Sequence, residues 1–189
     1  MVAGCIAVPA AHADGDPASD YLLSQSTFLP FDANIPKAQA EQLNAIVADA
    51  KQKGFTIRVA LIATRFDLGA VPSLWLKPKT YARFLGQELF FVYKGRLLVV
   101  MPNGYGASRA GKPLASAQRV LDALPRPGKG GAALAAAATR AVRKLAAQNG
   151  VHVEIPVATS DHKTSHDRLV LVAIAGGIVL LVGVGFAIR

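Results

Sequence analysis

The sequence predicts an α/β fold: a three-layer αβα sandwich around a small, mostly parallel sheet, followed by one C-terminal transmembrane helix. Three observations carry that expectation. Two β-branched apolar runs, Thr56 to Ala63 and Arg96 to Met101, are separated by a segment of helical periodicity, and strand, crossover helix and strand make a right-handed βαβ unit. Further amphipathic helical patterns lie before and after that unit. The run from Leu169 to Ile188, LVLVAIAGGIVLLVGVGFAI, holds no charged residue. At 189 residues and 52% apolar composition the chain suits one domain and is too apolar for a disordered tail, while 17 glycines and 11 prolines exclude one long helical rod.

Taken in order, Pro36 to Lys53 reads as a helix. Ala40, Leu43, Val47 and Ala50 recur at steps of three and four, Pro36 suits the first turn, and Gly54 suits the position just past the end. The strand at Thr56 to Ala63 is apolar on both faces in its second half, the pattern of a central parallel strand. Phe66 to Trp75, with Gly69 and Pro72, reads as a loop. Lys79 to Leu89 then places Tyr81, Phe84, Leu85 and Leu89 on one helical face, and the Lys94-Gly95 turn leads into the strand Arg96 to Met101. A polar turn is expected at Asn103-Gly104-Tyr105-Gly106, then a short helix at Leu114 to Leu124 broken by Pro125-Arg126-Pro127-Gly128. Ala132 to Gln148 is a strong Ala-rich helix. Val151 to Val157 is expected as an edge strand, because Pro156 has no N–H to give a central ladder.

The two ends set the compartment. At about 1.5 Å rise per residue, a helix over residues 169–188 spans the roughly 30 Å hydrocarbon core, and a domain this small has no interior that could shield all its sides. The opening MVAGCIAVPAAHADGD looks like the rear half of a secretory signal, with small residues at Ala11 and Ala13 where a signal peptidase reads. A basic n-region is missing, and Val2-Ala3-Gly4-Cys5 also resembles a lipobox. The expected plan is a signal remnant at 1–13, an extracytoplasmic domain at 14–158, a polar juxtamembrane linker at 159–168 and a membrane helix at 169–188. Lys163 and Arg168 precede the span and Arg189 follows it, so the positive-inside rule alone favours a tail-anchored cytoplasmic protein. Export is preferred, since a cleaved signal sets orientation and a translocated domain crosses largely regardless of charge. The single cysteine, Cys5, excludes an intrachain disulfide framework and leaves with the signal.

This order of features resembles the TPM domain family, named from thylakoid-lumen, photosystem-repair and receptor-accessory members. The resemblance covers about residues 28–148. It lies in the helix ending at Lys53-Gly54-Phe55 and leading into IRVALIA, the helix carrying Tyr81-Ala82, and Lys94-Gly95-Arg96-Leu97-Leu98-Val99-Val100 followed by Gly104-Tyr105-Gly106. A signal and a C-terminal anchor match a common arrangement in that family. Divalent-metal binding and a phosphatase activity have been attributed to some members. The sequence departs from them where an Asp-Arg pair usually follows the second strand: Met101-Pro102-Asn103 stands there instead, which weighs against carrying either property over.

Motifs that carry chemistry are few. Gly106-Ala107-Ser108-Arg109-Ala110-Gly111-Lys112-Pro113 satisfies the GxxxxGK of a phosphate-binding loop, but Pro113 replaces the magnesium-binding Ser/Thr, so a basic surface loop is expected. Ligands on an open parallel sheet gather beyond the carboxyl ends of its strands. Arg65, Asp67, Asn103 and Tyr105 follow those ends and are expected to form one ligand-binding crevice. Asp67 and Asn103 offer two hard oxygen ligands where calcium takes about six to eight, so a divalent cation there would be weakly held; the alternative is that Asp67 caps a loop turn. No other cofactor is expected. GxSxG and HExxH are absent, His162 and His166 fall in the polar linker, and no catalytic residue is assigned.

Charge is regional: residues 77–144 hold 13 basic against 2 acidic side chains within a net charge of +9. Arg109, Lys112, Arg140, Arg143 and Lys144 are taken as the basic surface, and each cation near an anionic membrane contributes up to about 1 kcal/mol. A solvated helix face is the plainer alternative. Membrane lipid, an anionic envelope polymer or an acidic protein fits such a surface; nucleic acid is not expected, its motifs being absent. The expected function is a membrane-anchored extracytoplasmic binding or accessory module. Its rivals are a metal-dependent phosphatase-like hydrolase, which would lose turnover on Asp67→Ala, and a tail-anchored cytoplasmic adaptor.

Overall fold

The computed structural model of the chain describes residues 15–154. The sheet is built from β1 (Thr27–Phe28), β2 (Ile57–Leu61), β3 (Arg96–Met101), β4 (Gly104–Arg109) and β5 (Lys112–Pro113), and the helices are α1 (Pro17–Leu22), α2 (Lys37–Gln52), α3 (Pro78–Glu88), α4 (Ala115–Asp122) and α5 (Gly131–Gln148). The fold is α/β, with helices on both faces of a five-stranded sheet ordered β1-β2-β3-β4-β5. β1, β2 and β3 run parallel, whereas β3–β4 and β4–β5 are antiparallel. The sheet is therefore mixed, which corrects the expectation of a mostly parallel one.

The cause lies in the Pro102-Asn103 turn. Met101 pairs with Gly104 across it, so the chain reverses in two residues and Gly104-Tyr105-Gly106, expected as a turn, opens β4 instead. Small residues make this possible. Gly106 lies against the start of α3 so closely that a Cβ there would stand 2.0 Å from the Pro78 carbonyl oxygen. The GxxxxGK string is likewise a hairpin: Ala110 and Gly111 both have positive φ, 48° and 72°, the geometry of a type I′ turn that matches strand twist. A left-handed alanine costs about 1–2 kcal/mol relative to its ordinary conformation. Ala110→Asn, which writes Asn-Gly at the turn, is expected to raise stability by about 1 kcal/mol in a thermal melt. No gain would mean that the turn is not of this type.

Alternation along the strands divides the core. Ile57, Val59, Leu61, Leu98 and Val100 face α2, α4 and α5, while Ala60, Ile62, Leu97, Val99 and Met101 face α1 and α3. α1 and β1 have no counterpart in the sequence expectations; at six and two residues they are too short for periodicity to show. Val151 to Glu154 is not a strand. Its backbone is held by helix ends instead: Val151 N–H donates to Ala146 O at 3.0 Å, Lys53 Nζ to His152 O at 3.0 Å, and Glu154 N–H to Asp49 Oδ2 at 3.3 Å. Among the described residues no helix is long and apolar enough to cross a membrane. The signal remnant, Cys5, the linker histidines and the span at 169–188 lie outside them.

Candidate functional site

A cleft of about 470 Å³ opens at the carboxyl end of β3, between the start of α3, the β3–β4 turn and the chain leaving α4. Its chemistry comes from Lys77, Lys79, Asn103, Tyr105, Asp122 and Arg126. Each is placed by a local device. Leu76 takes a left-handed φ of 59° and turns the chain into α3, and Asn103 Nδ2 donates to its carbonyl at 2.7 Å. The Tyr105 hydroxyl donates to Pro125 O at 2.9 Å, which pins the segment carrying Arg126 to the cleft wall. Burial pushes that phenol's pKa up, against the opposing pull of the Arg140 guanidinium.

Asp122 is fully engaged. It accepts from Lys79 Nζ at 2.9 Å and from Gln118 Nε2 at 2.8 Å, and these bonds hold its carboxyl below the usual range. Gln118 also accepts the Ala107 N–H at 3.0 Å and donates to Tyr105 O at 3.1 Å, so α4 is fixed in register on β4. The exposed Lys79–Asp122 pair adds little stability, but it neutralises both members. Lys77 and Arg126 have no carboxylate within ion-pair distance among the described residues. The start of α3 beside them carries no side-chain cap, and its positive end adds to their field.

Of the four residues expected to converge, the cleft gathers two. Asn103 and Tyr105 line it; Arg65 and Asp67 do not. Asp67 closes a capping box with Thr64: Oδ2 accepts the N–H groups of Ala63 and Thr64 at 2.7 and 2.8 Å, and Oδ1 accepts the Thr64 hydroxyl at 3.2 Å. This is the loop-capping role set out above as the alternative to a metal ligand. Arg65 stands with its guanidinium 5.8 Å from the Phe66 ring centre. Among the described residues, no group of three or more His, Cys, Asp or Glu is placed to hold a metal.

Of the five residues taken as the basic surface, three border three different hollows, although Arg109 and Lys112 pair across the β4–β5 hairpin. Arg109 shares a hollow with Arg96, Lys112 shares another with Arg83, and Lys144 borders a third with Arg119. Arg140 and Arg143 lie on α5 with Lys144, and none of the five lines the cleft. Lys77, Lys79, Asp122 and Arg126 were not singled out by sequence. The charge excess of their region was visible, but nothing in their spacing shows that residues so far apart in the chain meet. Comparison with protein-family models, curated proteins and solved structures finds no match to this chain.

Proposed function

We propose that the chain is a membrane-anchored, extracytoplasmic binding module of TPM type that holds an anionic group of an envelope polymer or acidic partner in the cleft at the carboxyl end of β3. The observation that carries this reading is the pair of unneutralised cations, Lys77 and Arg126, at the mouth of a concave site whose one carboxylate is already engaged. Guanidinium and ammonium groups bind phosphate or carboxylate through charge-assisted hydrogen bonds, and a concave wall lowers the local dielectric around them. Export is supported by the small-residue site ending at Ala13, which precedes the first packed residues of the domain, and anchoring by the uncharged run at 169–188.

Short-chain inorganic polyphosphate titrated into the detergent-solubilised full chain tests the site. Binding is expected to weaken as salt rises, and Lys77→Ala and Arg126→Ala are each expected to cost about tenfold in affinity, or 1.4 kcal/mol. Unchanged affinity in the double variant would overturn the assignment. Protease accessibility on intact cells, with sequencing of the mature N-terminus, tests the compartment. An intact opening methionine on a soluble protein would overturn export and anchoring together.

A further inference from the structure

The opposite end of the sheet has its own surface chemistry. At the amino ends of the parallel strands, the segment between α3 and β3 exposes Phe90, Phe91 and Val92, with Phe91 at 94% and Val92 at 60% of full exposure. Lys94 Nζ sits 4.7 Å from the Phe90 ring centre. Contacts join this segment to its surroundings. The Arg58 guanidinium lies 4.1 Å from the Tyr93 ring centre and donates to Leu22 O, which brings exposed Leu23 alongside. Tyr93 donates to Arg96 O at 2.9 Å, and Arg96 Nη2 donates to Asn149 Oδ1 at 3.2 Å. On the other flank the turn glycine Gly111 packs on Gln87, so Arg109 and Lys112 border the same end. The acids nearby are Glu88, Asp49, already paired to Lys53, and Glu154.

Where the chain leaves the domain decides what this end meets. Asn149 is bound at the start of β3 and Glu154 at the last turns of α2, so the described residues end on the side that bears the exposed rings, 14 residues before the uncharged run in sequence. We propose that the amino end of the sheet is a membrane-contact face, on which Phe91 and Val92 enter the headgroup region of an anionic bilayer while Lys94, Arg109 and Lys112 meet its phosphates. This inference rests on the anchored reading given above. Aromatic rings beside cations favour the membrane interface, where the ring is sheltered and the charge stays wet. The anchor keeps the patch at high effective concentration, so a small apolar area suffices. The cleft at the far end then points away from the bilayer.

The test uses the full chain with Cys5→Ser, labelled at Phe91→Cys or, as a control at the other end, at Phe66→Cys with an environment-sensitive fluorophore. Both are reconstituted in phosphatidylcholine vesicles with and without phosphatidylglycerol. The probe at 91 is expected to shift to shorter wavelength and to be quenched by brominated lipid, more strongly when phosphatidylglycerol is present, and Lys94→Glu is expected to reduce that quenching. The probe at 66 is expected to remain open to aqueous iodide. A probe at 91 as open to iodide as that at 66 overturns the membrane face while leaving the anchor standing. One shielded from iodide and from brominated lipid alike indicates a protein partner or second copy there and also overturns it. A chain that does not enter the vesicles overturns the anchored reading itself.

Discussion

Gly106→Ala is expected to destabilise the domain by about 3 kcal/mol, at the upper end of the usual cost of overpacking. The added Cβ would stand 2.0 Å from Pro78 O, 2.3 Å from Pro78 C and 2.8 Å from Lys79 N, all backbone atoms that cannot rotate away. Relief requires α3 to lift from β4, and with it Tyr81, Leu85 and the core they fill between α1, α3 and the sheet. A fall in melting temperature of roughly 6–12 °C is the expected reading for a domain of this size. The same substitution separates two views of the residue. In a phosphate-binding loop it would remove ligand and spare the fold, whereas here it strikes stability first. A variant that melts with the wild type would remove the close-packing account.

The second large effect is a pH dependence. Asp16 caps α1 and is only 5% exposed, with Tyr81 Oη donating to its Oδ1 at 2.6 Å and Ser19 N–H to its Oδ2 at 3.3 Å. Burial outweighs these bonds and raises its pKa from 3.8 to about 6. Burial and the adjoining carboxylate also push the Tyr81 phenol well above its ordinary value. Between pH 4 and 6 the folded state retains a proton that the unfolded chain has released, so the contribution of Asp16 to stability falls as pH rises through that window. The contribution lost by neutral pH is on the order of 3 kcal/mol, from roughly two units at 1.36 kcal/mol each. Asp16→Asn keeps an oxygen for Tyr81 and carries no charge. Urea unfolding across the window is expected to show the wild-type decline and its absence in the variant; parallel curves would rule out Asp16 as the source.

Much of this fold can be read from sequence where an element is long. α2, α5 and β3 lie within a residue or so of their expected limits because their apolar positions repeat over several turns or fill both faces of the sheet. β4 escaped because GYGASR contains no β-branched residue; it is a strand because small side chains let α3 approach its backbone. Val151 misled in the opposite sense, since β-branched residues there fill the gap at the end of α5 rather than pairing in the sheet. The candidate site was half legible for a related reason. Asn103 and Tyr105 follow directly from the end of β3, but Lys77 and Arg126 join them through tertiary packing, and Asp67 spends its oxygens on its own turn.

The outermost strands, β1 and β5, are two residues long, and Pro113 in β5 has no N–H to offer. Such margins give a neighbouring chain no template on which to add a strand. Crowded copies of this domain are therefore poorly equipped to join through their backbones.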